Sequence, residues 1–184
     1  GLAALRQAAE FLPDDAEVHY NLGNTLLMRG RLNDAEASYR QALQIRPDDA
    51  DEHYNLGNTL LAMGRLDEAE ACYRQALKIK PDYAKVHGTL GNALLGLGRL
   101  DEAEASYRQA LQVNPRYVTA HFNLGNFLHE RGRLVEAEAS YRQALQIKPD
   151  NADIHINLGN TLQDMERMDE AETSFREAIR IKPD

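Results

Sequence analysis

The sequence predicts an all-α fold in which antiparallel pairs of helices repeat along the chain. The main observation is self-similarity at a period of 34 residues, with no insertion or deletion. Comparison of residues 16–49 with residues 50–83 gives 24 identities in 34 positions. Five histidines mark the period, and they are His19, His53, His87, His121 and His155. Self-similarity of this length indicates a repeat protein.

Each unit contains two helical patterns separated by a turn. In the first unit, an apolar helical face is followed by a break at Gly30–Arg31, and a second helical pattern ends before Pro47. Asp48 or Asp49 can cap the next helix. The apolar and small residues of the two faces are His19, Leu22, Gly23, Leu26, Ala35, Tyr39, Ala42 and Leu43. The two patterns predict a helical hairpin that must stack on its neighbours to bury its faces.

We expect five such units, preceded by part of another. Residues 1–15 match the second half of a unit and predict the second helix of a truncated repeat. The five predicted units are residues 16–49, 50–83, 84–117, 118–151 and 152–184. Glu and Arg stand four residues apart on each second helix, as in Glu36 and Arg40. We interpret these pairs as a solvated face without a function.

The repeated motif resembles the tetratricopeptide-repeat (TPR) consensus over nearly the whole chain. The residues that carry the resemblance in the first unit are Leu22, Gly23, Gly30, Ala35, Tyr39, Ala42 and Pro47. Two features depart from it: His19 and its equivalents stand where the family often has Trp, and Glu166 replaces the turn glycine. The second change is expected to alter the last turn. The resemblance implies a right-handed solenoid, an α-α superhelix whose first helices line a concave groove for a peptide segment of a partner.

A helical wheel indicates which residues face this groove. At 100° per residue, the side of the first helix opposite His19 carries the same columns in every unit. The predicted groove residues are Tyr20, Asn21, Asn24, Tyr54, Asn55, Asn58, Thr89, Asn92, Phe122, Asn123, Asn126, Ile156, Asn157 and Asn160. Asn is a mediocre helix former, so this asparagine ladder requires an explanation. Either the amides hold a peptide backbone, since each can donate and accept, or they bond to neighbouring repeats.

The charge of the groove columns narrows the choice of partner. Lys85 is the only basic residue on them, which argues against a clamp for a terminal carboxylate. Acidic residues such as Glu17, Asp51 and Glu130 lie on or near the same face, so we expect a neutral to mildly basic protein or peptide. The asparagine-lined groove resembles the repeat region of O-linked N-acetylglucosamine transferases. This resemblance implies an alternative function, the substrate-recognition arm of a larger enzyme such as a glycosyltransferase.

Composition and cysteine content argue against several other classes of protein. A net charge of −8 argues against nucleic acid as the main partner, because such binding depends on clustered Lys and Arg. Uncharged stretches such as residues 86–98 are far shorter than the roughly 20 apolar residues that a membrane span requires. Cys72 is the only cysteine, so no internal disulfide can form. We therefore expect no membrane segment and a reducing, cytoplasmic location.

No residue pattern predicts catalysis, a metal or a cofactor. Ligands of one zinc ion each bond it at about 2 Å, whereas equivalent positions on stacked helices are separated by on the order of 10 Å. The repeated histidines are therefore expected to be packing residues. Cys72 occupies a column that holds Ser38 in the first unit, and no base partner lies within its unit. No phosphate-binding loop or nucleophile elbow occurs, so we expect these residues to be non-enzymatic.

A self-assembling scaffold is a further alternative. The pattern ends at residues 183–184 without a polar capping helix, so we expect an apolar end face. We predict head-to-tail contacts between molecules, in which the helix of residues 2–12 covers the face left open by the helix that ends at Ile181.

Overall fold

The computed structural model describes residues 1–183, and this part of the chain contains eleven α-helices and no strand. The all-α class predicted from the sequence is confirmed. The end of the predicted unit 152–184, at Asp184, lies outside the described residues. No helix within residues 1–183 is long and apolar enough to span a membrane. The helices are α1 (Leu2–Phe11), α2 (Ala16–Met28), α3 (Leu32–Ile45), α4 (Ala50–Ala62), α5 (Leu66–Ile79), α6 (Ala84–Gly96), α7 (Leu100–Val113), α8 (Val118–Glu130), α9 (Leu134–Ile147), α10 (Ala152–Asp164) and α11 (Met168–Ile181).

The chain forms two compact units, the first of residues 1–103 and the second from Glu104 onward. In the first unit, α2 packs on α3 and α4 packs on α5, while α3 also contacts α4 and α5 contacts α6. In the second unit, α8 packs on α9, α9 on α10 and α10 on α11. A short turn joins the two helices of each pair, so they run in opposite directions. Within each unit, helical hairpins therefore stack on one another, as the sequence predicts.

Aspartate and asparagine side chains begin three of the first helices. Asp15 Oδ1 accepts hydrogen bonds from the backbone N–H groups of Glu17 and Val18, at 2.9 and 3.2 Å. Asp49 does the same at the start of α4, so of the two predicted caps it is Asp49 that serves. Asn151 caps α10 through the N–H of Ile154. These contacts satisfy backbone donors that a helix leaves unpaired in its first turn.

In the pairs α2–α3, α4–α5, α8–α9 and α10–α11, an aromatic ring packs directly on a glycine at the core of the pair. Tyr73 is fully buried, and a Cβ built on Gly57 would lie 2.6 Å from its Cε1 atom. The same contact joins Gly23 to Tyr39, Gly125 to Tyr141 and Gly159 to Phe175. Any larger residue at these glycines would overlap the ring, which explains why glycine stands mid-helix despite its cost of about 1 kcal/mol relative to Ala. The ring is therefore the packing reason for these glycines.

The turn at Glu166 keeps the geometry of the glycine turns. Glu166 has φ +60°, close to the φ of +70° at Gly30 and Gly132. Its N–H donates to the carbonyl of Gln163 at 2.9 Å, as the N–H of Gly30 does to Leu27. The expectation that Glu166 alters the last turn is therefore wrong. The helices on both sides fix the turn, and Glu166 adopts a left-handed conformation that costs a residue with a Cβ about 1–2 kcal/mol.

One buried column contains a carboxylate among apolar residues. The residues at this column are Val18, which is half-buried, and Glu52, Val86, Ala120 and Ile154, which are buried. Glu52 is fully buried, its Oε1 pairs with the guanidinium of Arg46, and its Oε2 has no hydrogen-bond partner among the described residues. Burial raises the pKa of Glu52 above its usual range, against the opposing effect of Arg46. Glu52 therefore lowers stability once it is ionised.

Replacement of the strained turn residue tests the cost of its conformation. We expect Glu166→Gly to raise the free energy of unfolding by about 1 kcal/mol, because glycine adopts positive φ without strain but gains freedom in the unfolded chain. Urea denaturation measures the change. Gly132→Ala is the matched control and should lose about 1 kcal/mol, since a Cβ there meets no atom within 4 Å and only the backbone conformation is penalised. Equal or lower stability of Glu166→Gly would contradict this account.

Replacement of the buried carboxylate tests its effect on stability. Glu52→Val introduces the residue type of Val86 and should raise the free energy of unfolding at pH 7 by about 1 kcal/mol. Because the pKa of Glu52 is raised by folding, wild-type stability contains a loss that grows as pH rises from about 4, the unfolded pKa, through the higher folded pKa. The gain from Glu52→Val should accordingly shrink towards pH 4. A variant less stable than wild type at pH 7 would contradict the prediction.

Candidate functional site

The predicted groove residues lie on the first helices, and we call the two surfaces that they form the asparagine faces. The first asparagine face belongs to α2, α4 and α6 of the first unit, and the second to α8 and α10 of the second unit. On α2 the predicted buried residues His19, Leu22, Gly23 and Leu26 are all buried. The predicted residues that are exposed are Asn21, Asn92, Ile156 and Asn160. Those that are half-buried are Tyr20, Asn24, Tyr54, Asn55, Asn58, Thr89, Phe122, Asn123, Asn126 and Asn157.

A hydrogen-bonded network organises the first asparagine face. The Tyr39 hydroxyl donates to Asn24 Oδ1 at 2.7 Å. Asn55 Nδ2, on the next first helix, donates to the same oxygen at 3.3 Å and to the Tyr20 hydroxyl at 3.0 Å. One amide oxygen therefore accepts from a core tyrosine and from the neighbouring helix pair. These bonds correspond to the second interpretation of the ladder, in which Asn side chains bond to neighbouring repeats.

The same arrangement recurs on both faces. The Tyr73 hydroxyl donates to Asn58 Oδ1 at 2.9 Å. In the second unit, Asn126 Oδ1 accepts from the Tyr141 hydroxyl at 2.7 Å and from Asn157 Nδ2 at 2.8 Å. Burial raises the pKa of Tyr73 and Tyr141 well above the usual range, so both hydroxyls stay protonated and can donate. The amide oxygens of this column are therefore held in place by the core.

The network leaves amide donors unused. Within residues 1–183, the Nδ2 groups of Asn24, Asn58 and Asn126 make no hydrogen bond. Asn160 makes none with either of its amide atoms, and its Oδ1 lacks a donor because Phe175 stands in the tyrosine column and has no hydroxyl. Asn amides can donate two hydrogen bonds and accept two. Each face thus presents side-chain donors of fixed position that the fold itself does not use.

Aromatic side chains of the asparagine faces pack on the core tyrosines. Tyr20 lies on Tyr39, Tyr54 on Tyr73 and Phe122 on Tyr141, with ring centroids 6.1–6.2 Å apart. Pairs at this separation are attractive beyond the area that they bury. The three predicted groove aromatics therefore also stabilise the core tyrosines; they are Tyr20, Tyr54 and Phe122.

Two predicted residues differ from the rest of the ladder. Thr89 takes an Asn position on α6, and its hydroxyl donates back to the carbonyls of Lys85 and Val86. Ile156 is 41 % exposed and lines a cavity of about 500 Å³ against α11, together with Phe175 and Ile179. Thr89 thus interrupts the first face, and Ile156 contributes to an apolar surface on the end helix.

A small polar cavity opens on the second asparagine face. Its volume is about 290 Å³, and its walls come from α8, α9 and α10. The lining residues are Asn126, His129, Glu130, Tyr141, Asn157 and Asn160. Beside it, His129 Nε2 lies 2.9 Å from Asp164 Oδ2. Three of the predicted Asn residues therefore meet the carboxylate of Glu130, which the sequence placed on or near the same face, and a histidine that the sequence did not place there.

The repeated histidines bind the backbone. Nε2 of His19 donates to the carbonyl of Pro13 at 2.9 Å, and each later histidine contacts the proline six residues before it at 2.8–2.9 Å. These bonds fasten each first helix to the turn that precedes it. Cys72 is half-buried, and burial raises its pKa to about 11, so its thiol is protonated at neutral pH.

Ion-pair networks that the sequence did not predict join neighbouring helix pairs. Arg65 Nη1 lies 2.6 Å from Glu36, Arg65 Nη2 lies 2.6 Å from Glu68, and Arg40 also contacts both carboxylates. The interpretation of Glu36 and Arg40 as a pair within one helix was incomplete. An Arg after every turn was the signal in the sequence. The other networks are Glu70, Arg74, Arg99 and Glu102; Glu104, Arg108, Arg133 and Glu136; and Glu138, Arg142, Arg167 and Glu170.

Two further apolar surfaces lie away from the asparagine faces. Phe11 and Leu12, at the end of α1, are 74 % and 51 % exposed. On α11, Met168 and Ile179 are 56 % and 64 % exposed. The pair Glu172 and Arg176 of α11 occupies the positions of Glu36 and Arg40, but within the described residues no Arg of a following turn joins it. Both ends of the described chain thus carry exposed apolar side chains.

Solved structures share this fold. The protein YrrB, described as a TPR protein with an unusual peptide-binding site, is 27 % identical over 100 % of this chain and 95 % of its own, with a TM-score of 0.73. A thermophilic TPR protein of Thermus thermophilus, TTC0263, is 28 % identical over 92 % of each chain, with a TM-score of 0.75. MamA is 21 % identical over 88 % of this chain and 95 % of its own, with a TM-score of 0.79. The last likeness concerns the fold alone.

Sequence comparison identifies the family. No curated protein matches the chain. The profile of a TPR family described as the cilia and flagella-associated protein 70 C-terminal domain matches residues 2–183. TPR domains bind other proteins and are generally non-catalytic scaffolds. The chain therefore belongs to the TPR family of the cilia and flagella-associated protein 70 C-terminal domain.

Proposed function

We propose that this protein is an interaction scaffold whose asparagine faces hold extended peptide segments of a partner protein. The observation that carries the proposal is the unused Nδ2 donors of Asn24, Asn58 and Asn126, whose amide oxygens are anchored by core tyrosines or the next helix. An extended peptide presents backbone carbonyls that accept from such donors without regard to its side chains. The faces therefore suit a partner recognised first through its backbone.

Donors whose positions are already fixed favour binding, because little conformational freedom is lost when the ligand binds. Each anchored Asn side chain has already lost its rotamer freedom when the protein folds, and a side chain immobilised only on binding costs about 0.5–1.5 kcal/mol. The hydrogen bond from Tyr73 to Asn58 thus prepares the amide for a ligand. This fixed geometry supports a binding role for the ladder in addition to its bonds between repeats.

The charge of the faces favours a neutral to mildly basic segment. Glu17 and Glu130 are exposed and acidic, and Lys85 is the single basic residue on the predicted columns. A partner with a clustered negative charge would be repelled. The described peptide-binding role of YrrB, a structure 27 % identical over the full chain, supports peptide binding by this fold. The alternative of a substrate-recognition arm in a larger enzyme uses the same faces and stays a prediction.

Variants at one anchored amide test the proposal. Tyr73→Phe removes the anchoring hydroxyl and recreates the native combination of Phe175 with Asn160, so it should fold and bind peptides. The double variant Tyr73→Phe with Asn58→Ala also removes the amide. We expect it to bind array-selected peptides about two- to tenfold more weakly than Tyr73→Phe, the value of one hydrogen bond of about 0.5–1.5 kcal/mol. Fluorescence anisotropy measures the affinity.

The two variants are compared in the Tyr73→Phe background, because Asn58→Ala alone would also leave the buried Tyr73 hydroxyl without its hydrogen-bond acceptor. Circular dichroism checks that both variants keep their helices. Equal affinity of the single and double variants, repeated with Tyr141→Phe and Asn126→Ala, would contradict the proposal, as would an array on which no peptide binds.

A second candidate function is self-assembly, in which α1 of one copy covers α11 of another. The exposed apolar residues Phe11 and Leu12 on one helix and Met168 and Ile179 on the other favour it. Second helices such as α3 and α9 are covered by the first helix that follows them, which for α11 leaves the surface of Met168 and Ile179 available to another copy. Burial of apolar area gives the driving force, at about 25 cal/mol per Å².

Sedimentation at increasing concentration tests self-assembly. We expect wild type to form larger species and Ile179→Asp to remain monomeric, because a carboxylate would have to be buried in the contact. Val135→Asp is the matched control, since Val135 is 69 % exposed on α9 and should not affect assembly. A monomer for wild type at every concentration, or equal assembly of both variants, would refute the contact.

A further inference from the structure

The second asparagine face differs from the first at the C-terminal ends of its helices. The two positions there carry Leu27 and Met28 on α2 and Leu61 and Ala62 on α4. In the second unit the equivalent positions hold polar or charged residues, which are His129, Glu130, Gln163 and Asp164. The rest of the helical framework repeats with little change. The difference in polarity is therefore a local property of the second face and has no role in the shared core.

These substitutions place one unpaired carboxylate in the cavity of about 290 Å³. Asp164 is engaged by His129, with 2.9 Å between Oδ2 and Nε2. Glu130 makes no ion pair and no hydrogen bond with the part of the chain that is described. Its charge reaches the cavity wall, since it adds to the effect of burial in raising the pKa of Tyr141. The cavity thus carries a negative charge that the protein does not neutralise.

Amide oxygens extend the acceptor surface of the cavity. Asn157 donates through Nδ2 to Asn126, which leaves its Oδ1 without a hydrogen bond among residues 1–183. Asn160 has both amide atoms unused within residues 1–183, and its Oδ1 lacks a donor because Phe175 replaces the tyrosine whose hydroxyl would donate to it. The cavity therefore combines one carboxylate with amide carbonyl oxygens that accept from N–H donors, beside the unused Nδ2 donors of Asn126 and Asn160.

We propose that this cavity binds the cationic side chain of an arginine or lysine in the partner segment. The proposal deepens the proposed function and rests on it for the peptide that carries the side chain. A guanidinium has five N–H donors in a planar fork and matches a carboxylate together with neighbouring carbonyls. The cavity lies at the lower end of ligand-site volumes, which begin at about 300 Å³, and so fits one side chain better than a whole small molecule.

The test uses a single-residue probe, so that its outcome does not depend on the affinity of a longer peptide. The ¹⁵N-labelled protein is titrated with N-acetyl-arginine N-methylamide and, separately, with its citrulline analogue, which has nearly the same shape and no charge. The side-chain amide resonances of Asn126, Asn157 and Asn160 report binding in the cavity. We expect saturable shifts with arginine and about two- to fivefold weaker binding of citrulline, the usual value of an exposed ion pair.

Variants at Glu130 test whether its carboxylate causes the preference for arginine over citrulline. Glu130→Gln should bind arginine and citrulline equally, and Glu130→Met, which introduces the residue of the first face at Met28, should do the same. Asp169→Asn is the matched control: it removes the same charge from an exposed position of α11 in the same unit and should keep the preference. Shifts that are absent with arginine, or a preference that survives Glu130→Gln, would overturn the proposal.

The two proposals can fail separately. Binding of array peptides without a preference for a cationic residue, together with no shift from the arginine probe, would overturn the cavity assignment and leave the peptide-binding faces standing. Arginine binding that depends on Glu130, with no peptide bound on the array, would support the cavity and contradict the proposed function.

Discussion

In four helix pairs, the packing of one aromatic ring on a mid-helix glycine determines both how the two helices pack and the surface that the pair presents. At Gly57 a Cβ would lie 2.6 Å from the Tyr73 ring, so the ring occupies the space that any other residue would need. The hydroxyl of the same ring then reaches Asn58 on the outer side. Core and face are thus coupled through one side chain. The pair of Gly159 and Phe175 keeps the packing and loses the hydroxyl, which frees Asn160.

The coupling explains how the repeats can differ in function on a common framework. Positions at the C-terminal ends of the first helices differ, as from Met28 on α2 to Glu130 on α8, while both helix pairs keep the same contact between glycine and ring. Buried positions are less tolerant. Glu52 shows the penalty, since its carboxylate lies in an apolar column with one oxygen unsatisfied within residues 1–183. Specificity is therefore expected to reside in the outer columns and stability in the inner ones.

Much of the fold followed from the sequence because period and packing are local. The 34-residue repeat predicted the helix pairs and their stacking on neighbouring pairs. The networks around Arg65 were not foreseen, because they join side chains about 29 residues apart whose separation only the stacking distance fixes. The geometry at Glu166 was misjudged for a related reason, since the neighbouring helices impose a conformation that the residue itself disfavours. The helical wheel predicted which columns form the asparagine faces. It could not predict which Asn side chains accept hydrogen bonds from the core tyrosines.

The central claim is that the asparagine faces receive a peptide, and photo-crosslinking locates a bound peptide directly. An array-selected peptide carrying benzoylphenylalanine is irradiated with the protein, and the attachment sites are mapped by mass spectrometry. We predict attachment to the first helices, at or beside residues such as Tyr54 and Phe122. Attachment confined to the second helices, around the networks of Arg65 or Arg133, would contradict the claim.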